Sequence, residues 1–256
     1  MIDAIRSEWI KLRTTRATVL FIGFAVIIPV IFSTLAALLT KHPQDSSSRR
    51  LFNDMVLGPC YFTGFFAGIV GALGIGQEYR HNTIRVTFTA DPRRSRVLTA
   101  KLIVNTVFGL GIGLVSLLLC FGISSSILSS RNATMNFSDP GVNVSAFLGQ
   151  VVLCGLFTLA GFGLCAAIRQ PAAAIPILLV WPLVVESILF GIIDSATGSE
   201  RATRFLPFRE GFRIASNDSF DSTNGSFSRL PAGLYFGAFV AIIVAIGWVL
   251  TLRRDA

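Results

Sequence analysis

Apolar residues along the 256-residue chain gather into six long runs: Ala17–Leu39, Met55–Gly76, Leu102–Leu128, Val144–Ile168, Ala172–Ile193 and Ala232–Leu252. Each is long enough, at roughly 20 residues or more, for a helix to cross about 30 Å of hydrocarbon. The pattern predicts an all-α polytopic membrane protein with six transmembrane helices in one domain over 1–256. Ahead of the first run, Ile2, Ile5, Trp9 and Leu12 recur at spacings of three and four, with Arg6, Lys11, Arg13 and Arg16 elsewhere around the turn. This is either an amphipathic helix lying in the interface, with Trp9 at headgroup level, or a helical continuation of the first span. The longest basic gap is 77–101, reading QEYRHNTIRVTFTADPRRSRVLTAK. From Thr83 to Ala90 polar and apolar residues alternate, as in a strand, but a lone strand has no partner here. A short helix capped by Asn82 or Thr83 fits better; it places Ile84 and Phe88 on one side and closes at Asp91, with Pro92 opening the next helix. Ile84 and Phe88 would face a partner groove, with Arg85 and Arg93 at its rim.

Composition agrees with a membrane chain: 52% of residues are hydrophobic and only 14% charged, against about a quarter charged in soluble domains. Six spans and short loops leave no room for an added soluble domain, so any energy source is a separate chain. With an even number of spans, both termini share a face with the 77–101 loop. That face holds 13 Lys and Arg against five acids, the other nine against eight, so the net charge of +8 resides on one side. The positive-inside bias makes that side cytoplasmic. The charges sit in short juxtamembrane blocks without an accompanying aromatic or Gly-rich motif, which argues against nucleic acid as a partner.

Candidate chemistry is sparse. Cys60, Cys120, Cys154 and Cys165 all lie in apolar runs without a C-x-x-C pair, and are read as packing residues rather than metal ligands or a disulfide. Gly71 to Gln77 has the glycine spacing of a phosphate loop but lacks its Lys and Ser/Thr, so ATP is not expected to bind this chain. Both histidines, His42 and His81, fall in loops, and no catalytic or metal-binding motif is present in the spans. Glu186 is the one acid inside a span. It is either functional, in substrate contact, proton coupling or gate pairing, or a structural carboxylate bonded to a neighbouring helix. Pro176 and Pro182 predict a kink in the fifth span. The pairs Gly64/Gly68, Gly109/Gly113 and Gly233/Gly237 predict close helix approach within the chain or across a dimer. In the last outer loop, 194–230, Arg204–Ile214 mixes aromatic and charged residues as a short helix capping the bundle would, or as an ordinary solvated loop.

Glu78, Arg80, His81, Thr83, Ile84, Arg85, Pro92, Arg93, Arg94 and Lys101 together resemble the loop between the second and third spans of bacterial type-2 ATP-binding-cassette permeases. The family's usual Gly is Asn82 here, a residue that tolerates similar left-handed geometry. The resemblance extends to the layout of the whole chain. It implies a non-catalytic permease subunit in a bacterial plasma membrane, exporting an amphipathic or hydrophobic drug, lipid or peptide. It also implies that 77–101 carries a coupling helix docking on cytoplasmic ATPase subunits, through Glu78, Thr83, Ile84, Arg85, Phe88, Pro92 and Arg93. ATP and Mg would be held by those subunits, with no cofactor or metal in this chain, and two permease chains, alike or unlike, would pair within the membrane lipids. A membrane scaffold that recruits a soluble enzyme through the same loop is the alternative.

Overall fold

The computed structural model describes residues 2–81, 83–84, 94–133, 135, 144–197, 203–216 and 228–254. Its helices, in chain order, are α1 (Ile2–Thr14), α2 (Arg16–Leu39), α3 (Ser48–Arg80), α4 (Arg94–Ser130), α5 (Val144–Ile168), α6 (Pro171–Ala196), α7 (Pro207–Ile214) and α8 (Arg229–Arg254). All but α1 and α7 are long and apolar enough to cross a membrane, and no strand occurs among the described residues. At Thr15 the backbone is extended, with φ −76° and ψ 118°, so α1 and α2 are separate helices rather than one continuous span. Leu12 is buried and the Trp9 ring packs on Phe108 of α4 with centroids 4.4 Å apart.

Both α3 and α4 outrun the apolar runs that predicted them. A helix satisfies its backbone within itself, so it continues past the hydrocarbon edge until a turn residue or proline stops it. The shoulders of the basic gap, Gln77–Arg80 and Arg94–Lys101, are therefore helical, and the link between them narrows to 81–93. Of the short helix expected over Thr83–Ala90, only Thr83 and Ile84 are among the described residues.

The centre of the bundle is the crossing of α3 and α5, the two most buried spans, around which α2, α6 and α8 are sparsely covered. Small residues make the crossing possible. A Cβ on Gly71 would meet the Thr158 carbonyl oxygen at 1.9 Å, and one on Gly161 the Gly68 carbonyl oxygen at 1.9 Å, so the two backbones touch. Of the paired glycines read from the sequence, Gly68, Gly109 and Gly113 are in tight internal contacts, whereas Gly237 faces open space. Phe65, Phe157, Leu178 and Phe236 fill the volume beside the crossing.

Both prolines expected to kink α6 lie inside it, and a π turn spans Trp181–Val185 around Pro182. Proline lacks an N–H and crowds the carbonyl one turn back, and the wider turn relieves that crowding. A second π turn, Asn53–Leu57, precedes Pro59 in α3. The α5–α6 hairpin turns through Arg169 and Gln170, and is seated so closely on α3 that a Cβ at Gly76 would come within 2.8 Å of Pro171.

The crossing makes a sharp contrast among glycines. Gly71→Val or Gly161→Val is expected to destabilise the folded chain by about 3 kcal/mol or more, at the upper end of overpacking costs. Gly237→Val should stay within about 0.5 kcal/mol of the parent. Thermal unfolding of the three purified variants in detergent checks the ordering.

Candidate functional site

The polar groups that sequence scatters over three helices converge at the end of the bundle where the α3–α4 link and both described chain ends lie. Lys101 sits two turns into α4, fully buried. Its ammonium donates to Glu8 Oε2 of α1 at 2.7 Å and to Glu78 Oε1 of α3 at 2.7 Å. Lys11 closes the figure, donating to Glu8 Oε1 at 2.8 Å and Glu78 Oε1 at 2.9 Å. Two cations and two carboxylates thus form a neutral quartet. Glu8 and Glu78 are buried, while Lys11 keeps about half of its side chain exposed.

Neutrality is what permits the burial. An isolated ammonium in apolar surroundings is strongly disfavoured, and two charge-assisted hydrogen bonds to separate carboxylates offset that cost. Glu78, near the C-terminal end of α3, would be repelled by the helix dipole, which the two lysines counter. Burial lowers the Lys11 pKa, but its bonds to Glu8 and Glu78 win, and the group titrates above the ordinary lysine value. One turn beyond Lys101, Asn105 Nδ2 donates to the Lys101 carbonyl at 2.8 Å and its amide fills the space over Gly74. Beside the quartet opens a cavity of about 420 Å3, lined by Glu8, Lys11, Gln77, Glu78, His81 and Thr83 among others.

The residues singled out from sequence fall unevenly around this site. Glu78 is engaged inward by both lysines. Thr83 donates its backbone N–H to the Glu78 carbonyl at 3.0 Å, folding the start of the link back over the helix end. Ile84, expected to face a partner, is buried on Val97 and Tyr79 within the chain. Arg85, Phe88, Pro92 and Arg93 lie outside the described residues. Sequence reading noted Lys101 but missed Glu8 and Lys11 as its companions. Their signal was present: an acid and a base three apart on a helix whose basic residues were read without Glu8 beside them.

At the other end of the bundle stands the second acid of interest. Glu186 is buried, and its carboxylate accepts the backbone N–H of Phe208 at 3.0 Å and of Arg209 at 2.8 Å. These are first-turn amides of α7, which have no partner within their own helix, and a carboxylate also suits the positive end of the helix dipole. Helix continues from Glu186 to Thr197, so Glu186 lies roughly 16 Å from the helix end at 1.5 Å per residue. Glu186 is thus hydrogen-bonded to a neighbouring helix. Its cap draws α7 into the bundle: Phe208 and Ile214 are buried, and the Phe208 ring lies 5.5 Å from Phe157 and 5.3 Å from Phe236. Within the Arg204–Ile214 stretch, Pro207–Ile214 is therefore a helix inserted among the spans, not a solvated loop. On its buried face Glu210 has Arg213 Nε 3.2 Å away. Arg131 fastens the same end, donating to the carbonyls of Ala37 at 2.6 Å and Thr40 at 2.8 Å at the close of α2.

Three outcomes are expected from these two sites. Lys101→Met leaves two buried carboxylates without their central cation and should cost about 3–5 kcal/mol, whereas Lys11→Met, at a half-exposed position, should cost under about 1 kcal/mol. Because the Lys11 pKa is raised, its contribution is fully present below the usual lysine value of 10.5 and is lost as pH rises through the folded-state value. Melting temperatures should accordingly show an alkaline decline that is reduced in Lys11→Met. Glu186→Leu removes both acceptors of the α7 cap, so hydrogen exchange at the Phe208 and Arg209 amides should accelerate, and less so in Glu186→Gln.

The α1, α3 and α4 residues that form the quartet fall within a segment with known relatives. A family model described as ABC-2 family transporter protein matches residues 4–185. No curated protein matches the chain. The match takes in well over half of the sequence, including Glu8, Lys11, Glu78 and Lys101, and agrees with six membrane-length helices in the order described; the chain belongs to the ABC-2 family of transporter proteins.

Proposed function

We propose that this chain is the permease subunit of an ATP-driven exporter in a bacterial plasma membrane, with its basic end and both termini in the cytoplasm. Separate ATPase subunits, which hold ATP and Mg, dock on the 81–93 link through Arg85, Phe88, Pro92 and Arg93. Two permease chains, alike or unlike, pair to form the path for an amphipathic or hydrophobic substrate. The observation that carries the reading is the quartet. It binds α1, α3 and α4 together directly behind the link, so a push delivered there reaches three helices at once instead of bending one loop. Glu78 and Thr83 serve the coupling from within, Glu78 by holding both lysines and Thr83 by tying the link to the end of α3. Motion of this kind is rigid-body displacement.

Co-expression with a candidate ABC ATPase subunit from the same genome, one that co-purifies with the parent permease, tests the proposal. Phe88→Asp combined with Arg93→Glu should abolish co-purification of the ATPase and ATP-dependent transport while leaving the melting temperature of the permease unchanged. Retention of the ATPase by this variant, or labelling of a cysteine at position 93 from outside intact cells alone, would defeat it.

A further inference from the structure

A second cavity at the basic end, larger than the one beside the quartet, lies between the end of α3 and the α5–α6 hairpin. Its volume is about 860 Å3, and none of the nine described residues lining it is acidic. Two arginines stand in its wall, Arg80 and Arg169, together with Gln170. Below them the lining turns apolar, through Leu73, Ile168 and Ile175. Positive charge at the polar end and hydrocarbon toward the bilayer form the complement of an anionic amphiphile.

A second observation singles out Arg169. It ends α5 with φ at 65°, in the left-handed region where helices ordinarily place glycine. Arginine at such a position carries backbone strain that glycine would avoid. Its side chain is also held in place: the guanidinium lies 5.6 Å from the centroid of the Tyr79 ring and donates to the Leu250 carbonyl at 3.3 Å. Tyr79 is braced in turn by its hydroxyl, 3.1 Å from Thr251 Oγ1 of α8. A strained turn thus carries a cation fixed against α3 and α8 at the rim of a cavity with no carboxylate among its described lining residues.

We infer that this cavity binds an anionic phospholipid, its phosphate on Arg80 and Arg169 and an acyl chain along Leu73, Ile168 and Ile175. The inference rests on the membrane orientation proposed above only for the leaflet that supplies the lipid, which would be the cytoplasmic one. Occupied, the site places a lipid between α3 and the α5–α6 hairpin, two elements that meet at Gly76 and Pro171.

The test uses the full-length permease alone in detergent, read by native mass spectrometry with phosphatidylglycerol and phosphatidylcholine as competing probes. Phosphatidylglycerol should be retained in preference, and Arg80→Gln should weaken its retention about fivefold, with roughly thirtyfold for the double variant with Arg169→Gly, on the scale of anionic-surface attraction per arginine. Arg169→Gly relieves the turn while removing the cation, so a loss of lipid without a loss of melting temperature separates binding from support of the fold. Arg80, exposed at the end of its helix, supplies a variant that leaves the turn untouched. Equal retention of the two lipids, unchanged retention in both single variants, or displacement of the lipid by millimolar inorganic phosphate would overturn the inference. No ATPase enters the measurement, so a negative result leaves the transport proposal standing.

Discussion

A lysine with no solvent contact at the edge of a membrane bundle imposes a condition on everything around it. Lys101 can remain charged there only if carboxylates reach it from outside its own helix, and the two that do come from α1 and α3. Removing either helix from its place would strand a charge, so the position of α1 against the spans is fixed by electrostatics more than by apolar area. That matters because α1 is otherwise weakly attached: Trp9 and Ile10 remain substantially exposed, and Leu12 is its main buried apolar contact. Lys11, on the same face, supplies the second cation, without which the two acids would leave the site net negative.

The two ends of the bundle use different physics for related purposes. At the basic end, side-chain ion pairs join helices laterally. At the far end, Glu186 and Arg131 act on backbone: one accepts the orphan amides of α7, the other donates to the last carbonyls of α2. Between them the α3–α5 crossing allows little adjustment, because backbone meets backbone at Gly71 and Gly161 and no side chain can give way. The sparsely covered α2, α6 and α8 surround that crossing, with their outer apolar faces exposed.

How much of this was legible depended on the length of the pattern. Span number and order were carried by runs of some twenty apolar residues, which only a membrane helix accommodates. Span ends were not, because a helix does not stop where hydrocarbon does, and Gln77–Arg80 and Arg94–Lys101 extend α3 and α4 into what read as loop. The inserted helix α7 was visible as a mixed stretch, but its depth was not. Depth comes from Glu186, and nothing local to Glu186 says that its partners are amides more than twenty positions away. The quartet was hidden for the same reason: Glu8, Glu78 and Lys101 become neighbours only through the packing of three helices. Ile84 shows the opposite failure, an apolar residue in a polar link read as a surface for a partner when the chain itself covers it.

A rigid crossing with charged ties at one end and a capped helix at the other constrains how displacement could pass through the molecule. Under the proposed function, force entering at the 81–93 link would have to break charge-assisted bonds in a buried setting to separate α1, α3 and α4, so these helices would move as a unit. Nor can α3 slide along α5, since each touches the other's backbone. What can yield is α6, which packs mainly through its first half, carries a π turn at Pro182, and bears Glu186 just beyond that turn. A π turn holds one residue more than the regular helix, and such turns are frequent at functional sites. Because Glu186 also holds α7, a shift of α6 beyond Pro182 would withdraw the cap and loosen the helix that fills the far end. Under the proposed function, movement begun at the link would in this way be expressed as the seating of a short helix at the other end.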